Sequence, residues 1–234
     1  MRKVLVYMLG ILSVCGIILC GIYYLTSSDK EGDSRETGGK SGVKTARVVA
    51  NGDILCHDAL YYTAKKSDGG YDFNPFFEYV KPWIEGADLA IGDYEGTISD
   101  KHPLGGHPHV IEPAETVEKD GDKKFIIYSM GNFISNQRME RMDNKWPERG
   151  LLMDVTFEKN NGKTIIKTVK AHPTLVYSKL NGRNMNGIAL YDYKVMVLED
   201  FIDGGKHRDK LDEKMKEKVD VAYREIIDHV NLNW

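Results

Sequence analysis

Residues Val4 to Leu25 form an almost unbroken apolar run that carries no charge, long enough as a helix to cross the roughly 30 Å hydrocarbon layer of a bilayer. This feature divides the chain into a short leading stub, a span and everything that follows. Arg2 and Lys3 precede the run while Ser27 to Gly42 mixes acids and bases, so the positive-inside bias predicts a cytoplasmic N-terminus and a main domain outside the cell membrane. A cleaved signal peptide is the competing reading. It would need a small-x-small pair after the run, where Tyr23-Tyr24-Leu25 is bulky. Cys15 and Cys20 follow Val14 and Leu19, where lipid attachment would require a small residue, and read as ordinary apolar helix positions.

The expected organisation is a stub and transmembrane anchor over residues 1–26, a flexible linker over 27–43 and an extracytoplasmic domain over 44–234. No large apolar residue occurs between Ser28 and Gly42, the composition of a solvated tether. Only Cys56 lies beyond the apolar run, so no disulfide joins two thiols of the domain and a packed core must hold it. The net charge is -3, with lysines and acids interspersed, which excludes the electrostatic footprint of a nucleic-acid binder.

Thr45 to Ala50 reads as a strand ending in an Asn51-Gly52-Asp53 turn. Phe76, Phe77, Val80, Trp83 and Ile84 recur at helical spacing, and Ala87 to Ile91 is a second strand of mostly buried type. This β-loop-α-β order predicts an α/β unit. Lys124 to Met130, Gly150 to Phe157 and Thr164 to Ala171 are three further strands, the last two joined by the turn Lys159-Asn160-Asn161-Gly162. They follow one another without helices, which predicts an antiparallel region and gives the α/β class an α+β character. Leu211, Met215, Val219, Ala222, Ile226 and Val230 predict an amphipathic C-terminal helix over about 207–230, packed on the domain.

Four islands carry the chemistry. Asp53 and His57 stand four residues apart after the first strand, an oxygen and imidazole mixture suited to Zn, Mn or Fe; the alternative is that Asp53 caps a helix bearing His57 on its surface. Asp93 and Glu95 follow the second strand and can direct two carboxylates into one cavity, or serve as a turn former and a solvated rim residue. His107 and His109 flank Pro108, whose fixed φ keeps the stretch extended and lets two imidazoles face one ion. Asn132, in Ser129-Met130-Gly131-Asn132-Phe133, can orient a ligand through its amide, although a structural loop role is the favoured reading; Gln137 is a weaker candidate. With metal bound, His57 would act as acid toward a leaving group.

These strings, in this order, resemble the poly-γ-glutamate capsule biosynthesis protein family, whose domain looks like a calcineurin-type metallophosphatase. The matching text is Gly52-Asp53 through His57, Tyr71-Asp72-Phe73 with Phe76 and Phe77, Lys81-Pro82, Ala87 to Gly92, Glu95, Ile98-Ser99, Gly106 to Val110 with Pro113, and Tyr128 to Ile134. The resemblance implies a metallophosphatase-like sheet packed with helices and possible divalent metal ions (Mn, Zn or Fe) held by Asp53, Asp93, Glu95, His107 and His109. Asp93 stands where the family usually has Asn. The family also carries a long central stretch with an Asn-Asn-His motif that this chain lacks, so the sheet is expected to be incomplete, internally shortened near 105–107, with exposed edges and with paired histidines short of rigid support.

Two functions follow as expectations. One is a membrane-anchored protein of poly-γ-glutamate capsule biosynthesis or export, with a metal-dependent hydrolase activity. The other is a non-catalytic scaffold that holds the polymer or the capsule synthase membrane subunits, or a nonfunctional shortened relative.

Overall fold

The computed structural model describes residues 42–56, 58–94, 109–119, 121–232 and 234. The first strand, β1 (Lys44–Ile54), runs straight through the turn expected at Asn51-Gly52-Asp53. Gly52 is not a turn former here: a Cβ on it would lie 1.9 Å from the carbonyl oxygen of Gly131. The glycine permits a close approach between two backbones, and Asp53 consequently sits inside a strand.

A short helix, α1 (Asp58–Ala64), follows. The single helix expected around Phe76 to Ile84 is divided into a 3-10 turn, Asn74–Phe77, and α2 (Lys81–Glu85). Each piece has a proline in its first turn, and Pro82, lacking an N–H, starts a new helix rather than continuing the preceding turn. Phe76 and Val80 are nevertheless buried, as their spacing requires. β2 (Leu89–Tyr94) then pairs parallel to β1 with Val48 opposite Leu89, completing the expected α/β unit. The buried character expected of β2 is not observed. It is exposed along its length, Leu89 and Ile91 at 52% each, because no described strand lies beyond it in the sheet.

The strand expected over Lys124 to Met130 is also different. β3 (Ala114–Lys119) and β4 (Asp122–Ile127) form a separate two-stranded sheet, and β5 (Asn132–Ile134) pairs parallel with β1. A one-turn helix, α3 (Met139–Met142), leads towards β6 (Arg149–Asn160) and β7 (Lys163–Met185), the antiparallel pair expected from the sequence. Their turn has Asn161 and Gly162 at φ of 48° and 80°, the double positive value that Asn-Gly supplies. β7 runs well past Ala171 and pairs with β8 (Ile188–Val197) across a second Asn-Gly turn at Asn186-Gly187. The order in the main sheet is β2-β1-β6-β7-β8, with β5 also against β1.

Alternation along these strands sorts two cores onto opposite faces. Leu152, Val195 and Val197 join Val49, Leu60, Phe76, Val80 and Phe133, whereas Leu151, Met153 and Met196 join the final helix, α4 (Glu213–Val230). Asp212 caps α4 by accepting from the Met215 N–H at 2.8 Å, and Val219, Ala222, Ile226 and Val230 are its buried stripe, as expected. Each such burial is worth about 1.5–3 kcal/mol for the larger side chains. The result is a mixed sheet of α+β character, and residues 41–234 form one compact unit. No helix among the described residues is long and apolar enough to cross a membrane. The Val4 to Leu25 run, the linker up to residue 41 and the shortening near 105–107 lie outside the described residues.

Candidate functional site

β1 changes partner at its C-terminal end. Lys44 to Asn51 pair with β6, but at Asp53 and Ile54 the neighbour on that side is β5. The Asp53 N–H donates to the Gly131 carbonyl at 3.0 Å, and the Leu55 N–H to the Ile134 carbonyl at 2.9 Å. On the opposite side Asp53 is in register with Asp93 of β2. Asp93, Asp53 and Asn132 therefore occupy one row across three parallel strands, at the ends where open α/β sheets present ligand-binding groups.

Asn132 is fully buried. Its Nδ2 donates to the Pro147 carbonyl at 2.8 Å and to Gln137 Oε1 at 3.1 Å, which fixes the amide so that Oδ1 faces His109 Nδ1 at 3.0 Å. The same ring nitrogen lies 3.3 Å from Asp53 Oδ2, and Asp53 is itself buried. An amide oxygen only accepts, so Nδ1 donates its proton to Asn132 Oδ1. An imidazole oriented through one ring nitrogen by an amide oxygen, with a carboxylate beside it, is an arrangement found behind metal ligands and general bases.

The His109 segment is fastened from behind. Ile111 is buried, bridges to Met130, and its carbonyl lies 2.9 Å from Nε2 of His229 in the last turn of α4. The Glu112 N–H donates to the Ser129 carbonyl at 3.0 Å. His229 stacks in turn on Trp146, centroids 4.7 Å apart. Nothing in the sequence distinguished His229 from a surface residue, because its role comes from a contact remote in the chain.

Asn132 opens β5 and does not lie in a loop, and its amide holds Pro147, Gln137 and the imidazole together. The expectation that His109 would lack support is corrected. His57, Glu95 and His107 lie outside the described residues. Asp93 shares the row but is exposed on the edge strand. Among the described residues no group of three His, Cys, Asp or Glu side chains could hold a metal ion. Cys56, half-buried two residues past β1, has its thiol pKa pushed up by burial, which keeps it in the unreactive form.

Residues 47–104 and 102–137 match the family model of the bacterial capsule synthesis protein PGA_cap. The two matched stretches overlap at 102–104, beside Gly105-Gly106. No curated protein and no solved structure matches the chain.

Proposed function

We propose, from the match of residues 47–104 and 102–137 to a bacterial capsule synthesis family, that the chain is a membrane-anchored, extracytoplasmic capsule-synthesis protein with a divalent-metal hydrolase site built on Asp53 and His109. The observation that carries this reading is the 3.3 Å approach of Asp53 Oδ2 to His109 Nδ1. Carboxylate and imidazole are an oxygen and nitrogen donor pair of the kind that fits Mn, Zn or Fe. A bound ion would supply Lewis acidity and make water a better nucleophile at neutral pH.

Asp53 and His109 would hold the ion, with Asp93, Glu95 and His107 the expected companions and His57 the acid toward a leaving group. Asn132 fixes the His109 ring through its Oδ1, and its own orientation is set by Pro147 and Gln137. The calcineurin-type relationship and the shortened centre belong to this proposal. The meeting of the two matched stretches at 102–104 supports the shortening.

A second reading has its own observation. The edge strand β2 exposes Leu89 and Ile91 at 52% each, an apolar surface that supports a scaffold holding polymer or capsule synthase subunits without turning anything over. Elemental analysis of the purified full chain separates the two. The hydrolase reading expects a divalent metal that is lost in Asp53→Asn while cooperative unfolding persists. A folded wild-type protein without metal would leave the scaffold.

A further inference from the structure

We propose that a cavity of about 280 Å³ between β7, β8 and the start of α4 is a second ligand site, for a small organic anion whose carboxylate or phosphoryl group is carried on an apolar body. It shares no residue with the Asp53 and His109 site and does not depend on the function assigned there.

The chemistry of the walls is divided. Lys179 of β7, Lys194 of β8 and Lys210, just before α4, bring three ammonium groups to one opening, although the chain as a whole is net acidic. Tyr79, Met196 and Phe201 supply an apolar and aromatic wall. Lys210 Nζ stands 5.0 Å and Lys194 Nζ 5.8 Å from the Tyr79 ring centre, close enough for the ring's quadrupole to favour both charges. The ring itself is wedged edge-on against Phe201, centroids 5.1 Å apart.

Lys194 is matched by an ion pair with Glu78, whose carboxyl that lysine holds below the usual range. Lys179 and Lys210 enter no ion pair among the described residues. The acid of the lining, Asp212, is engaged in capping α4. A cationic excess therefore remains at the mouth. Ammonium groups act as point charges toward carboxylate or phosphoryl oxygens, and the aromatic wall would be unused by a bare inorganic ion. The volume lies at the small end of ligand cavities, suited to a single ring or a short chain.

Isothermal titration of the full chain with phenylphosphonate and with phthalate tests the site, since neither probe carries an ester to hydrolyse. At least one should bind about tenfold tighter than inorganic phosphate or phenol, and the tighter of the two identifies the acid group. Lys179→Gln with Lys210→Gln should weaken it about tenfold, and Lys159→Gln with Lys170→Gln should not. Asp212→Asn keeps a capping side chain and removes the opposing charge, so it should tighten binding, a gain that misfolding does not produce. Asp53→Asn should leave binding unchanged, which separates this site from the metal proposal. Phosphate binding as tightly as phenylphosphonate, equal losses in both lysine pairs, or no saturable binding would overturn the inference.

Discussion

His109 Nδ1 rests 3.3 Å from Asp53 Oδ2, joining the segment that leads to Ile111 to the end of the first strand. β5 replaces β6 beside this end of β1 and brings the Asn132 amide oxygen to the same ring nitrogen, at 3.0 Å.

Asn132 and His109 should be energetically coupled. Asn132→Ala removes the donor to Pro147 and the acceptor for His109 in a fully buried position, at a cost of about 1–3 kcal/mol. A double-mutant cycle with His109→Ala, read by urea unfolding, should give a coupling of at least about 0.5 kcal/mol. Additive losses would mean that the two side chains do not act together.

Gly52→Ala should be among the most damaging small substitutions in the chain. Its Cβ meets backbone, the Gly131 oxygen at 1.9 Å, which cannot swing away as a side-chain end would. A loss of about 3 kcal/mol is expected at an overpacked site of this kind. Thermal unfolding measures it. A variant as stable as wild type would show that β1 and β5 are not this close.

Acid should loosen the attachment of α4 at Glu225. Lys145 Nζ at 2.6 Å and Arg149 Nη1 at 2.7 Å hold this carboxyl below its usual range, Lys145 contributing most. A depressed folded pKa gives a contribution that is complete above the unfolded value of about 4.3 and is lost as pH falls through the folded one. The carboxyl is about one-third exposed, so solvent screening limits the effect to about 1 kcal/mol. Glu225→Gln should therefore lower the urea midpoint at pH 7 and differ little from wild type near pH 2, where both side chains are neutral. A constant gap at both pH values would exclude the charge as its cause.

Cys56 should alkylate slowly. Burial raises its thiol pKa, so iodoacetamide at pH 8 should label it more slowly than a small free thiol, with the gap narrowing after denaturation in urea. Labelling at the free-thiol rate in the native protein would contradict that burial.

The sequence made the local elements legible wherever one face or one turn dominated. The α4 stripe and the Asn161-Gly162 turn are examples, and Asn186-Gly187 carries the same turn signal. It was misleading where a residue served a remote neighbour. Gly52 has the composition of a turn but serves a strand crossing, and Asn132 follows a glycine like a loop residue but opens a buried strand. Leu89 and Ile91 look like core positions, and their exposure depends on what stands beside β2 rather than on β2 itself. Of the site, Asp53, His109 and, as a weaker candidate, Gln137 were legible as residue types, while the supports from Pro147 and His229 were not, since hydrogen bonds to backbone leave little compositional trace.

The change of partner along β1 has a consequence for how such a chain can lose parts and persist. Cohesion resides in the long ladders from Lys44 to Asn51 and across β6, β7 and β8, whereas the proposed site rests on the two rungs at Asp53 and Ile54. Damage at those rungs can silence the molecule without melting it, so survival of the scaffold is no witness to survival of the reaction.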